Sequence, residues 1–136
     1  MATVSVRYIV DDVDAAIDFY RDRLGFTEVM HPAPTFAMLT SGDLRLVLSE
    51  PSGQAGGGQA MADGAVPEPG GWNRFQLEVS DLEATVDELR RAGTRFRNEI
   101  VTGFGGKQIL VMDPSGNLVE LFEPTRREAE LDAPTV

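Results

Sequence analysis

Two stretches of the chain repeat each other residue by residue, and an internal repeat narrows the possible folds more than any composition does. Val10, Asp12, Val13, Asp14, Ala15, Ile17, Asp18 and Arg21 return in kind as Val79, Asp81, Leu82, Glu83, Ala84, Val86, Asp87 and Arg90. Further on, Ser41-Gly42-Asp43-Leu44 leading to Glu50-Pro51 is echoed by Ser115-Gly116-Asn117-Leu118 leading to Glu123-Pro124. The chain therefore reads as two copies of one module, and each copy predicts what the other carries at the matching position.

In the first copy, Val4, Val6, Tyr8 and Val10 alternate with Ser5, Arg7 and Ile9, the two-residue period of a strand with one face on a core. Asp11 or Asp12 then caps a helix whose Val13, Ala16, Ile17, Tyr20 and Leu24 share a face, and Gly25 supplies its left-handed stop. Strands are expected near Thr27 to Met30, Thr35 to Thr40 and Leu44 to Ser49, the last two joined through Ser41-Gly42-Asp43. The second copy repeats the recipe. Phe75, Leu77 and Val79 alternate with Arg74, Gln76 and Glu78, and Ser80-x-x-Glu83 reads as a capping box. Leu82, Val86 and Leu89 form the helical stripe, and Gly93 ends it. Strands follow near Phe96 to Val101, Lys107 to Met112 and Asn117 to Phe122, with Asp113-Pro114-Ser115-Gly116 as the last turn. This predicts an α+β fold of two βαβββ modules, at residues 3–50 and 72–124. A Gly/Pro-rich linker or lid joins them over 51–71, and the tail at 125–136 either adds a helical turn or frays.

A chain of 136 residues, 42% of them hydrophobic, is long enough to bury one real core. It holds no unbroken apolar run of membrane-spanning length, shows no basic-then-apolar leader pattern and contains no cysteine, so a cytoplasmic protein without disulfides or thiolate metal sites is expected. With 22 acidic against 12 basic residues and a formal charge of -10, the surface repels phosphate backbones and favours cationic partners. Nucleic acid is therefore not an expected ligand.

The order of elements, the run from Val10-Asp11-Asp12-Val13 through Asp18-Phe19-Tyr20 to Leu24-Gly25-Phe26, and Asp113-Pro114-Ser115-Gly116-Asn117-Leu118-Val119-Glu120-Leu121 together closely resemble the vicinal-oxygen-chelate superfamily. That group includes glyoxalase I, the extradiol dioxygenases and the bleomycin- and fosfomycin-resistance proteins. The resemblance spans roughly Val4 to Pro124. It implies paired βαβββ modules forming a curled, eight-stranded mixed sheet, the glyoxalase/bleomycin resistance fold, and a homodimer, with function decided by what lines the concave face.

Metal-dependent members of that superfamily hold their ion with two histidines and one or two glutamates at equivalent places in the two modules. The histidine position on the opening strand corresponds here to Ser5, and the repeat places its counterpart at Arg74. The glutamate of the Asp-Pro-x-Gly-x-x-x-Glu run is present as Glu120, but its first-module counterpart is Val47. A site of two histidines and one carboxylate cannot be built from a chain with one histidine, and that residue, His31, lies before Pro32 at a strand end, where a turn role is expected. No metal ligand and no cofactor is expected.

The alternation assigns Ser5, Arg7 and Ile9 from one half, and Arg74, Gln76 and Glu78 from the other, to the faces away from the helices. Arg45, Val47 and Ser49 join the first set, and Glu120 and Phe122 the second. Phe36, Met38, Trp72, Phe104 and Met112 supply apolar walls. The expected ligand contacts are thus Arg7, Phe36, Met38, Arg45, Trp72, Arg74, Gln76, Glu78, Phe104, Met112 and Glu120. Arg74 is expected either to contact ligand or to pair with Glu78 or Glu120. Trp72 either stacks on a flat ligand or anchors the second module. The loop Thr102-Gly103-Phe104-Gly105-Gly106 lacks the lysine and helix start of a phosphate loop.

The resemblance and the missing ligands point to a metal-independent protein of bleomycin-resistance type. It would sequester a sizeable aromatic or cationic small molecule, such as an antibiotic, rather than transform it. The alternative is a lyase or isomerase, with no metal or a degenerate metal site, that uses Glu120 as proton carrier and Arg74 as oxyanion holder. A metal-dependent lyase or dioxygenase, and a module whose cavity is filled by its own side chains, complete the possibilities.

Overall fold

The computed structural model describes residues 4–51 and 56–125. In chain order its elements are β1 (Val4–Ile9), α1 (Val13–Asp22), β2 (Thr27–Ala33), β3 (Phe36–Ser41), β4 (Leu44–Ser49), β5 (Phe75–Glu78), α2 (Leu82–Arg91), β6 (Arg95–Phe96), β7 (Val101–Thr102), β8 (Gly106–Met112) and β9 (Leu118–Pro124). The strands form two mixed sheets, one ordered β1-β4-β3-β2 and one ordered β5-β9-β8-β6, with β7 also on β8. The fold class is the expected one. The chain divides into two compact units, the first being Met1–Gly71 with Asp113–Asn117 and the second Trp72–Met112 with Leu118–Val136.

The repeat is written into the hydrogen bonds. Asp12 caps α1 by accepting from the Ala15 amide at 3.1 Å, and Asp81 caps α2 from the Ala84 amide at the same distance. The echoed Glu-Pro pairs also find their reason: Glu50 accepts from the Val13 amide at 3.0 Å, and Glu123 from the Leu82 amide at 2.8 Å. Each module thus brings a carboxylate from the end of its last strand onto the first turn of its helix, where free N–H groups and the helix dipole favour negative charge. The Ser80–Glu83 capping box does not form. Asp81 takes the cap, and Glu83 lies 3.3 Å from the Lys107 ammonium instead.

In the first unit, Tyr8, Leu39, Leu46 and Leu48 are buried together with Val13, Ala16, Ile17 and Tyr20 of α1. Each such aliphatic side chain contributes roughly 1.5–3 kcal/mol on burial. Phe19 and Phe26 both meet Tyr20 edge-on, at centroid distances of 5.0 and 5.5 Å. In the second unit Leu82, Val86 and Leu89 of α2 are buried along with Ile109, Val111, Val119 and Leu121, and α2 packs on β9. Gly93 ends α2 in a left-handed turn (φ 83), with Thr94 N–H returning to the Leu89 carbonyl at 3.0 Å.

Three local expectations change. The single strand expected near Phe96 to Val101 comes as two short strands, β6 and β7, because Asn98 turns its Oδ1 to the Leu110 amide (2.9 Å) and replaces a ladder bond between them. The strand expected near Thr27 to Met30 runs on to Ala33 through shifts in register, so His31 lies within β2 rather than in a turn, half-buried and 3.7 Å from Asp14. Leu24 follows α1 instead of belonging to it. The tail beyond residue 125 lies outside the described residues.

Candidate functional site

Each unit presents one sheet face away from its helix. Parallel pairing of β1 with β4 sets Ser5 beside Arg45, Arg7 beside Val47 and Ile9 beside Ser49. Antiparallel pairing of β3 with β4 extends those rows to Thr40, Met38 and Phe36. The face is a three-by-three array, polar at the Ser5–Arg45–Thr40 end and apolar towards Ile9 and Phe36. Four expected contacts, Arg7, Phe36, Met38 and Arg45, share it. The Arg45 Nε donates to Ser5 Oγ at 3.1 Å, so the hydroxyl at the family's histidine position serves an arginine. Gly57 comes close to Arg7: a methyl group there would meet the guanidinium and displace this flexible end of the side chain. Ser49 Oγ is buried on the same face without a hydrogen-bond partner among the described residues.

The second unit is organised around Glu120, 8% exposed on β9. Its Oε1 accepts from Arg74 Nε at 3.1 Å and Nη2 at 2.9 Å, and its Oε2 from the Gln76 amide at 2.6 Å. Pairing of β5 with β9 dictates this, because Gln76 lies directly beside Glu120 and Glu78 beside Phe122. Pairing of β8 with β9 adds Leu110 beside Glu120 and Met112 beside Leu118. The structure thus pairs Arg74 with Glu120, and the same arginine's Nη1 holds the Trp72 carbonyl at 3.3 Å. The indole is 63% exposed, with the Arg97 guanidinium 5.2 Å from its centroid, a cation–π contact. Sequence reasoning does not single out Arg97, which opens the irregular stretch between β6 and β7 where the repeat breaks down. Phe104 stands 94% exposed at the tip of the β7–β8 hairpin, closed by the Gly103 amide on the Gly106 carbonyl at 2.8 Å.

The donor chemistry does not fit a divalent ion. Among the described residues no three His, Asp or Glu side chains gather into a metal-holding group. In the first unit the relevant positions hold a hydroxyl engaged by Arg45 and an apolar Val47. In the second, Arg74 occupies the Glu120 oxygen that a cation would need, and a guanidinium repels one.

Asp113, in the turn before β9, is buried and accepts from the Ser115 and Asn117 amides at 2.9 Å and from Tyr20 Oη at 2.8 Å. Burial pushes its carboxyl above the ordinary range against the pull of those donors, and burial likewise holds Tyr20 well above its own. The Asp-Pro-Ser-Gly-Asn turn is therefore a structural knot. Asn117 Nδ2 ties it to the Ile9 carbonyl at 2.8 Å.

Two βαβββ modules, each turning a polar sheet face away from its helix, define the class of fold. A family model described as the Glyoxalase/Bleomycin resistance protein/Dioxygenase superfamily matches residues 3–121, and the chain belongs to that superfamily. It is similar to a bleomycin resistance protein of Geobacillus stearothermophilus, 26% identical over 120 residues covering 84% of this chain and 90% of the relative. Among solved structures, an antibiotic-binding protein from Streptomyces superposes with a TM-score of 0.70 at 23% identity, over 92% of this chain and 98% of its own. A lactoylglutathione lyase from Agrobacterium tumefaciens superposes at 0.68 and 23%, over 90% and 92%. The last two show a common fold.

Proposed function

We propose that the protein binds a sizeable, partly aromatic small molecule, such as an antibiotic, without a metal ion and without transforming it, as a cytoplasmic homodimer. The observation that carries this reading is the seating of Arg74 and Gln76 on Glu120. The one glutamate retained at a metal position of the family spends both oxygens on its own neighbours. The bleomycin resistance relative supports a binding role. Exposed Trp72 and Phe104 offer aromatic area, while Gln76, Glu78, Met112 and the Arg74–Glu120 pair orient what lies against them.

Trp72 is the only tryptophan, so its fluorescence reports on this region alone. Titration with glycopeptide, enediyne and aromatic polyketide compounds should give saturable quenching at micromolar concentration or below for at least one class. In Trp72→Phe, calorimetry should show weakened binding of that compound. If nothing in the panel binds, the proposal fails. The competing enzyme reading draws on the burial of Glu120. Glu120→Gln would abolish turnover under that reading, but only alters affinity under this one.

A further inference from the structure

The two arginines of the first sheet face differ from the cations of this acidic chain that are seated on carboxylates. Arg21, Arg74, Arg90 and Lys107 all lie within ion-pair distance of carboxylates. Arg7 and Arg45 have no carboxylate within that distance among the described residues. They lie on neighbouring strands of one face, one row apart, both exposed. Arg45 is fixed by Ser5 Oγ, which accepts from it, and the Arg7 guanidinium lies close to the Gly57 backbone, where a methyl group would meet it. Two like charges on adjacent strands of one face repel each other until an anion lies between them. The repeat explains how this arose. Arg7 corresponds to Gln76 and Val47 to Glu120, so the first module sets a second cation beside a position where the carboxylate is missing.

We propose that Arg7 and Arg45 form a binding site for an oxyanion, a carboxylate or phosphate, carried by an organic ligand whose apolar body lies over Met38 and Phe36. The proposal rests on the small-molecule binding reading above and gives that molecule a charge. The net charge of -10 argues for a cationic ligand only at long range. Salt screens it beyond about 8 Å, whereas direct guanidinium contacts are charge-assisted hydrogen bonds that screening leaves largely intact. Guanidinium pairs suit planar, two-oxygen recognition. The array grades from the arginines to Met38 and Phe36, matching an acid with an apolar or aromatic body.

Isothermal titration calorimetry on the full chain compares 2-naphthoate with its neutral isostere 2-naphthylmethanol, with inorganic phosphate as competitor for the oxyanion alone. The wild type should prefer the acid at least tenfold, and phosphate should weaken the acid but not the alcohol. The preference should fall below twofold in Arg7→Gln and Arg45→Gln, each shown folded by circular dichroism, and persist in Arg91→Gln, a surface control. Phosphate competition with the acid separates recognition of a bare oxyanion from recognition of carboxylate in particular, and either supports the site. Equal binding of acid and alcohol, or a preference that survives both substitutions, overturns the oxyanion site while leaving a binding role standing. No binding by either probe or by the antibiotic panel overturns both.

Discussion

The two modules share a scaffold down to single hydrogen bonds and diverge on the face that scaffold presents. Both helices are capped by an aspartate three residues ahead of the amide it holds, and both receive a glutamate from the end of the last strand. On the open face, the second module sets Arg74 and Gln76 around a buried Glu120, and the first sets Arg7 beside Val47. Duplication preserves what folding needs, and the positions free of that need are where the copies have taken up different chemistry. One face seats its arginine on a glutamate, and the other carries two arginines with no ion pair among the described residues.

The largest expected effect comes from breaking the neutral face. Glu120→Ala leaves Arg74 and the Gln76 amide without their acceptor in a part-buried setting and should cost about 1.5–2 kcal/mol in urea unfolding. A loss below about 0.5 kcal/mol would mean that the pair contributes nothing to the second module.

The shared scaffold predicts matched losses. Glu50→Gln and Glu123→Gln each weaken a carboxylate contact at a helix N-terminus and should cost about 1 kcal/mol apiece, equal within about 0.5 kcal/mol. Unequal costs would show that the echo is one of sequence more than of energy.

Val47→Glu copies the second module's carboxylate into the first, beside Arg7. A double-mutant cycle with Arg7→Gln should reveal a coupling of about 0.5–1 kcal/mol, and the acid preference on that face should vanish. The smallest effect belongs to Gly57→Ala. Its methyl displaces the flexible end of Arg7, so stability should change by less than about 0.5 kcal/mol while oxyanion affinity drops several-fold.

Much of this was legible in the residues because period-two alternation and a repeat are both local, countable signals. Ser5, Arg7 and Ile9 were assignable to one face from alternation alone, and aligning the Glu-Pro ends placed Arg45, Val47 and Ser49 beside them. The pairing of Arg74 with Glu120, one of two partners open at the sequence level, needed the β5–β9 register. Other features depended on irregular backbone. The split of the expected strand into β6 and β7 turns on the Asn98 side chain replacing a ladder bond, and Arg97 reaches Trp72 from that same stretch. The close approach of Gly57 to Arg7 joins residues from a Gly-rich segment with no periodic signal at all.

The most direct test of the central claim, that Glu120 serves an arginine-held binding face and no metal ion, is native mass spectrometry of protein purified without chelator, before and after addition of a compound that quenches Trp72. A mass made only of 14.8 kDa chains, rising by one ligand mass per chain on addition, is the expected result. Stoichiometric nickel, zinc or iron in the purified protein, lost together with ligand binding on chelation, would contradict it.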